Sequence, residues 1–211
     1  MNLLISAGPT REYFDSVRFI SNASSGKMGY AIAGAAARRG HRVTLVSGPA
    51  TIHAPKGVKV VRVVSAAEMA RACKQAFKTA DVAVMTAAVS DYRPATRADR
   101  KTPKLKQAMR VRLEPTEDIA AALGSRKGNR LLVGFAMEDH EGYAKARRKY
   151  EKKNCDLIVL NSPENLGADH ARVELYTTRQ GWSRPIQGTK AQVARQLVLA
   201  IERLATRPAD Q

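Results

Sequence analysis

The chain has 211 residues, 44% of them hydrophobic, and its 36 Lys and Arg outnumber 19 Asp and Glu to give a formal charge of +17. This composition is typical of a folded protein rather than a disordered one, and no apolar run is long enough to cross a bilayer. The charge favours anionic partners such as nucleotides, phosphorylated metabolites or nucleic acid. Only Cys73 and Cys155 are present, so no disulfide framework is predicted and a cytoplasmic location is expected.

The first half of the chain alternates between strands and helices. Hydrophobic periodicity predicts strands at residues 2–7, 42–47, 59–64 and 82–86, and helices at residues 27–39 and 66–79. Ser65 and Glu68 are spaced as a capping box for the second helix. This order of elements predicts an α/β fold with a Rossmann-like, doubly wound and mostly parallel sheet.

The second half adds a basic loop and a C-terminal hairpin plus helix. Residues 95–107 are rich in Lys and Arg and poor in apolar side chains, which predicts a mobile, lysine-rich flap. Strands are predicted at 109–113, 131–135, 156–160, 172–177 and 183–187, and helices near 116, at 141–153 and after 189. Thr116 and Thr189 are the expected caps. We expect one domain over residues 1–206 and a disordered tail at 207–211.

The loop before the first helix concentrates groups that bind anions. Ser24 and Ser25 are expected to cap this helix, whose free N–H groups and dipole favour a negative ligand. Gly26 permits close approach of a backbone or ligand, and Arg18 can hold a phosphate or carboxylate in bidentate fashion. Asn22 offers a donor and an acceptor without charge. An ordinary capped helix would carry similar residues, so the loop alone leaves both interpretations open.

Two other functions fit parts of the sequence. An NAD(P)-dependent Rossmann oxidoreductase would suit the order of elements, but G-x-G-x-x-G is missing after the first strand, and the second strand ends in Ser47-Gly48 rather than an acid. A basic nucleic-acid-binding domain would suit the charge. Aromatic residues are only 5%, however, and no helix-turn-helix, finger or stacking motif is present.

Six motifs in a fixed order resemble the phosphopantothenoylcysteine synthetases (phosphopantothenate–cysteine ligases). They are SAGPTRE at 6–12, RFISN at 18–22, SSGKMG at 24–29, AAVSDYRP at 87–94, VGFA at 133–136 and DLIVLN at 156–161. The resemblance extends from about residue 4 to residue 204. Several motifs in order are far more specific than any one of them.

The resemblance implies an activity in coenzyme A biosynthesis. Bacterial members of the family use CTP and Mg²⁺ to activate 4′-phosphopantothenate as an acyl-cytidylate, which cysteine then converts to 4′-phosphopantothenoylcysteine and CMP. The Mg²⁺ is expected to be held mainly by the triphosphate. The resemblance further implies a stand-alone synthetase without flavin, a homodimer with shared sites, and a separate decarboxylase as a possible associate. Nucleic acid and membrane are not expected partners.

The resemblance also assigns roles to individual residues. Asn22 would hold the acyl-nucleotide, and we expect its amide to donate to an acyl or phosphoryl oxygen. Arg18, Ser24, Ser25 and Gly26 would lie on the phosphopantothenate side. The nucleotide would contact Gly8, Ala87, Ala88, Asp91, Lys101, Asp118, Ile119, Phe135, Lys149 and Lys153. Lys104 and Lys106 would be the catalytic flap lysines, although the family's final flap lysine is Gln107 here and Lys101 is nearer in spacing. Glu117 replaces a proline common in the family.

Overall fold

A central sheet with helices on both faces organises the chain. The computed structural model describes residues 1–104 and 106–206, so the tail predicted at 207–211 lies outside the described residues. The strands are β1 Asn2–Ala7, β2 Arg11–Tyr13, β3 Phe19–Ser21, β4 Arg42–Ser47, β5 Val58–Arg62, β6 Val82–Met85, β7 Tyr92–Pro94, β8 Leu113–Pro115, β9 Leu131–Met137, β10 Leu157–Asn161, β11 His170–Thr177, β12 Gly181–Trp182 and β13 Ile186–Thr189. The helices are α1 Lys27–Arg38, α2 Ala66–Phe77, α3 Ile119–Gly124, α4 Gly142–Lys152 and α5 Lys190–Ala205, and a 3₁₀ turn covers Pro163–Asn165.

The order of the strands confirms the predicted doubly wound fold. From one edge the sheet runs β12, β11, β10, β9, β6, β1, β4, β5, and β13 pairs with β11. The six strands from β10 to β5 are mutually parallel, whereas β11 is antiparallel to β10. Numbered along the chain, the parallel strands stand in the order 3-2-1-4-5-6, which is the Rossmann order. In such sheets ligands bind outside the carboxyl ends, where the winding reverses between β1 and β6.

Alternation along β1 sends side chains to two hydrophobic layers. Leu3 and Ile5 are buried with residues of α1 and α5, whereas Leu4 is buried with residues of α2 and α3. Burial on both faces explains why the central strands read as continuous apolar runs. Within residues 1–104 and 106–206, no helix is both long and apolar enough to cross a membrane.

Two predicted helix caps form and two are wrong. Ser65 and Thr189 each make a complete capping box, with Glu68 and Gln192 respectively. The N-cap of α1 is instead Gly26, at φ 78°, without a side-chain cap. This left-handed turn places Ser24 and Ser25 before the cap, and their hydroxyls accept only from the N–H groups of residues 26 and 27, at 3.3 and 3.5 Å.

The second cap error lies at α3. Asp118, not Thr116, is the N-cap, and its carboxylate accepts from the N–H of Ala121 at 3.1 Å. The Thr116 hydroxyl donates to the carbonyl of Ser90 at 2.6 Å and therefore ties this segment to the loop after β6.

Short strands were the main omission of the sequence-based prediction. The ladders β2–β3 and β7–β8 each join only three pairs of residues. The strand predicted at 109–113 lies instead at Leu113–Pro115. Three residues are too few for an alternating pattern to indicate a strand, so these elements depend on partners distant in the sequence.

Candidate functional site

A cavity of about 540 Å³ lies at the carboxyl ends of the central strands. Ser6 of β1, Met85 of β6 and Phe135 of β9 line it, so it occupies the crevice expected for a doubly wound sheet. The predicted site residues that line the cavity are Asn22, Ser24, Ser25, Gly26, Ala87, Ala88, Asp91, Asp118, Ile119, Phe135, Lys149 and Lys153. Folding therefore gathers residues from five separated segments of the chain around one space.

The first turn of α1 is pressed onto the sheet because two glycines allow it. A Cβ on Gly26 would lie 3.2 Å from the Cα of Gly8, so Gly8 lies directly behind the helix N-terminus. A Cβ on Gly29 would lie 2.5 Å from Thr86 Oγ1 and 2.6 Å from Ala7 Cβ. This turn carries no acidic residue. Residues 24–29 line the cavity, so the free N–H groups and the positive end of the helix dipole lie at this wall. That arrangement favours an anionic ligand.

Asn22 joins the helix-entry loop to the loop after β6. Its amide nitrogen donates to the carbonyls of Ala88 and Val89, at 3.2 and 3.0 Å. Two acceptors fix the orientation of the amide, since the opposite orientation would set Oδ1 against two carbonyl oxygens. Both N–H groups are thus committed, contrary to the expectation that they donate to a substrate oxygen. Among the described residues, the Oδ1 acceptor of this side chain has no hydrogen-bond partner and is available to a ligand.

Two lysines of α4 form a cationic wall of the cavity. Lys149 Nζ lies 2.6 Å from Glu138 Oε1, and Lys153 Nζ lies 3.2 Å from Asp118 Oδ1. The Glu138 side chain is only 9% exposed, so this pair is shielded from water more than an ordinary surface ion pair. The pairs hold both ammonium groups at the cavity rather than leaving them free on the helix surface.

Two further lysines line the cavity, although neither was among the predicted site residues. Lys27 Nζ donates to the carbonyl of Gly167 at 3.1 Å and lies 2.6 Å from Asp169 Oδ1. Lys190 Nζ donates to the carbonyls of Asn165, at 2.9 Å, and Ala168. Burial lowers the pKa of Lys190, and the nearby Lys27 charge lowers it further. Lys27 lies within the SSGKMG motif, but nothing in the sequence singled out the first residue of α5.

The remaining predicted residues, Gly8, Arg18 and the three flap lysines, lie outside the cavity lining. Arg18 Nε is 3.2 Å from Asp15 Oδ2, and its guanidinium also donates to the carbonyl of Thr102. Lys101, Lys104 and Lys106 are exposed in the segment between β7 and β8. The structure therefore does not bring the flap lysines into the cavity, and it gives Arg18 protein partners.

Carboxylates at the cavity are few and are differently engaged. Asp118 caps α3 and pairs with Lys153, and Glu117 pairs with Lys74 at 2.5 Å. Within the described residues, the exposed Asp91 carboxylate makes no hydrogen bond or ion pair. In the same part of the chain, no group of three or more His, Cys, Asp or Glu is placed to hold a metal ion. Asp91 is consequently the carboxylate most available to a ligand.

Comparison with known proteins gives a consistent set of relatives. The profile of a family described as "DNA/pantothenate metabolism flavoprotein C-terminal domain" matches residues 1–204. The chain is 49% identical over 168 residues to a cysteine/cysteine sulfinic acid decarboxylase from an unknown prokaryotic organism, a match that covers 79% of the chain and 47% of the relative. It is 45% identical over 168 residues to the coenzyme A biosynthesis bifunctional protein CoaBC of Bacillus subtilis, covering 79% of the chain and 41% of that protein.

A solved structure extends the comparison to nearly the whole fold. The chain is similar to the crystal structure of the C-terminal domain of a CoaBC protein, with 39% identity and a TM-score of 0.82. That match covers 96% of the chain and 94% of the solved one. By contrast, the matches span about half the length of the curated full-length relatives.

Proposed function

The chain belongs to the DNA/pantothenate metabolism flavoprotein C-terminal domain family, and on this premise we propose that it ligates 4′-phosphopantothenate to cysteine with CTP in coenzyme A biosynthesis. The observation that carries the proposal is the cavity at the sheet's switch point, which is lined both by the helix N-terminus of α1 and by the lysines of α4. Similarity to the CoaBC C-terminal domain supports the same activity. Two sources of positive potential in one cavity suit a reaction between two anions.

The proposed reaction has two steps, both with nucleophiles that the substrates supply. The carboxylate of phosphopantothenate attacks the α-phosphorus of CTP, and the bond to pyrophosphate breaks. The amine of cysteine then attacks the acyl carbon, loses a proton and expels CMP. The protein's task is to place these groups and to stabilise the developing negative charge, which explains why no Ser-His-Asp triad is needed.

Individual side chains divide this task. Lys149, Lys153 and Phe135 line the cavity. In this proposal the two lysines bind the phosphates, and Phe135 with the adjacent backbone of β9 contacts the base. The N-terminus of α1, with Ser24 and Ser25, lines the same cavity and in this proposal holds anionic groups of phosphopantothenate or its acyl-phosphate. Asn22 braces the loop at Ala88 and presents Oδ1 as an acceptor, a role suited to a substrate N–H group.

Mg²⁺ would neutralise charge on the triphosphate in this proposal. The available carboxylate of Asp91 is an oxygen ligand of the kind that Mg²⁺ prefers. One available carboxylate fits a metal that is bound chiefly by the phosphates of its nucleotide. The segment carrying Lys101, Lys104 and Lys106 would close over that nucleotide and become ordered there, because these three lysines form no ion pair within the described part of the chain.

The direct test is pyrophosphate release with phosphopantothenate, cysteine and each nucleoside triphosphate in turn. We expect CTP to be preferred over ATP in kcat/KM, because backbone groups beside Phe135 can discriminate a pyrimidine edge from a purine. Turnover with ATP equal to that with CTP would contradict this preference. Absence of pyrophosphate release with every triphosphate would contradict the proposed function itself.

Neighbouring lysines of α4 offer a matched set of variants. Lys149→Ala and Lys153→Ala each remove an ammonium group from the cavity, whereas Lys152→Ala removes one from the exposed side. Hydrogen bonds to charged groups are worth about 1.5–3 kcal/mol, so we expect the first two variants to raise KM for CTP by roughly tenfold or more. The Lys152 variant should match the unsubstituted protein. Equal effects in all three would contradict the cavity assignment.

A further inference from the structure

A buried carboxylate joins two segments that are far apart in the sequence. The Asp15 side chain is fully buried in the loop between β2 and β3. Its Oδ1 accepts from the N–H groups of Val17 and Arg18 at 2.8 and 2.7 Å. Its Oδ2 accepts from the N–H of Thr102 at 3.1 Å. One carboxylate therefore organises its own loop and holds a residue 87 positions away.

Arg18 binds the second backbone group of Thr102. Its Nε lies 3.2 Å from Asp15 Oδ2, and its terminal nitrogen donates to the carbonyl of Thr102. Both backbone groups of Thr102 are thus bound, the N–H by Asp15 and the carbonyl by Arg18. We call Asp15, Arg18 and Thr102 the Thr102 clasp.

The clasp stands next to the candidate flap lysines. Lys101 precedes Thr102 directly and Lys104 follows it by two residues, and both lysines are exposed. On the other side of Lys101, the N–H of Ala98 donates to the carbonyl of Phe14 at 3.0 Å. The described residues between β7 and β8 contain no helix or strand, so these contacts replace secondary structure as the support of the segment.

We propose that Asp15 and Arg18 are positioning residues that fix the stem of the lysine-rich segment at Thr102, so that Lys104 reaches the triphosphate from a fixed anchor. The proposal rests on the proposed function for the identity of that anion. Two residues span at most ~7 Å, so an anchor at Thr102 confines the backbone of Lys104 to a small volume. Without the clasp, a longer stretch would have to be ordered when the nucleotide binds.

The charge on Asp15 supports this role. Hydrogen bonding from the backbone of Arg18, together with the N–H groups of Val17 and Thr102, lowers the pKa of Asp15 to about 2. The carboxylate is thus ionised throughout the neutral range, and it holds its partners as an anion. Arg18, which the sequence suggested as a ligand of phosphopantothenate, also holds Thr102 in this proposal.

The test compares two carboxylate-to-amide substitutions. Asp15→Asn keeps the shape but replaces the charged acceptor of three backbone N–H groups with a neutral amide. Asp81→Asn is the control, because Asp81 likewise accepts a backbone N–H, that of Asn2 at 2.7 Å, but at the amino end of the sheet. Hydrogen exchange is measured across residues 95–112 with and without CTP·Mg²⁺, beside kcat and KM for CTP. We expect Asp15→Asn to speed exchange at Thr102 at least tenfold and to lower kcat/KM at least tenfold, and Asp81→Asn to do neither.

A double-mutant comparison separates positioning from general destabilisation. If Asp15 acts through Lys104, then Asp15→Asn should cost little further activity when introduced into a Lys104→Ala protein. Arg18→Lys, at a half-exposed side chain, supplies a second variant should Asp15→Asn not fold, and it should show the same exchange signature. Unchanged exchange at Thr102, or full additivity with Lys104→Ala, would overturn the proposal. If the unsubstituted protein released no pyrophosphate, the proposed function would fail, and the exchange data alone would decide whether the clasp fixes the stem.

Discussion

At the scale of single residues, Asn22 shows how partners decide a chemical role. A free asparagine can donate and accept, but here both N–H groups bind the Ala88 and Val89 carbonyls. The side chain therefore braces the loop that carries Asp91, and only its acceptor remains for a ligand. Bracing and substrate contact make different predictions for variants at this position.

Asn22→Ala and Asn22→Asp should fold and yet lose most synthesis of phosphopantothenoylcysteine. Removal of a positioned polar group at a reacting centre typically costs ~10²–10³ in rate. Asp would also place negative charge against two carbonyl oxygens and an anionic substrate, so this variant should bind phosphopantothenate less well. The measurements are product formation and a thermal melt for each variant.

Asn2→Ala is the matched control for Asn22, because Asn2 also donates its amide to a carbonyl, that of Thr79 at 3.2 Å, far from the cavity. It should keep normal turnover. Near-normal turnover in a folded Asn22→Ala protein would remove this residue from the mechanism. A collapsed melt would instead indicate a purely bracing role.

At the scale of elements, α1 depends on how closely it can approach the sheet. Its first turn contacts β1 and the residue after β6 through Gly29. Gly34 lies instead beside the end of the flexible Arg38 side chain and Pro55. A Cβ on Gly34 would lie 3.3 Å from a guanidinium nitrogen of Arg38 and 3.4 Å from Pro55. The same helix thus offers two glycines with opposite expected responses to a methyl group.

Gly29→Ala should destabilise the protein, whereas Gly34→Ala should be neutral or stabilising. The new methyl at Gly29 would overlap Thr86 and Ala7, and overpacking of this kind costs about 1–3 kcal/mol. At Gly34 a better helix former gains up to about 1 kcal/mol, because the neighbouring Arg38 side chain can move. Denaturant unfolding of both variants measures the difference. A Gly29 variant as stable as the unsubstituted protein would show that α1 can shift away from β1.

At the scale of the whole molecule, several exposed apolar side chains lie on or beside the two short ladders. Val17, Phe19 and Ile20 belong to or flank β3, and Tyr92 and Leu113 lie on β7 and β8. Contacts between β2 and β7 bring the two ladders side by side, and adjoining exposed apolar side chains are typical of interfaces. On this basis we propose the homodimer that the family resemblance implies.

Sedimentation should therefore give about twice the chain mass of 23.0 kDa. Tyr92→Asp places a charge among these side chains and should shift the equilibrium towards monomer. Tyr143→Asp is the control, since Tyr143 is similarly exposed, at 51% against 56%, but lies on α4. A monomeric unsubstituted protein, or equal effects of both variants, would contradict the dimer.

Acid should destabilise the whole molecule because several of its carboxylates have lowered pKa values. The pKa of Asp15 falls from an ordinary 3.8 to about 2 through backbone hydrogen bonds, and hydrogen bonding with Arg39 lowers the pKa of Glu202. A lowered folded-state pKa contributes stability that is present above the unfolded value and is lost as pH falls towards the folded value. The free energy of unfolding should therefore decline from about pH 4 to pH 2.

Asp15→Asn should flatten that decline, because the variant has no proton to take up at this position. Asp99→Asn serves for comparison, since the exposed Asp99 carboxylate makes no hydrogen bond or ion pair in the described part of the chain. Urea unfolding at a series of pH values measures each slope. Identical slopes for the two variants would contradict the contribution of Asp15.

The sequence by itself determined the layout of the sheet and the set of motifs at its carboxyl edge. Continuous apolar runs indicated the buried parallel strands, since burial on both faces removes the polar alternation that other strands show. The capping box at Ser65 and the cap at Thr189 were predictable because their hydrogen bonds join residues three apart. Motifs that follow consecutive parallel strands must meet at one edge, so their convergence on the cavity was also predictable.

Only the tertiary structure decided the partners of the polar side chains. Ser24 and Thr116 lost their expected capping roles because a left-handed glycine and a carbonyl at Ser90 fixed the chain differently. Contacts between distant segments hold Lys190 at the cavity. Arg18 binds Thr102 and does not line the cavity. Hydrogen bonds are short and directional, so a side chain's role depends on which backbone groups folding brings within about 3 Å of it. No local pattern records that distance.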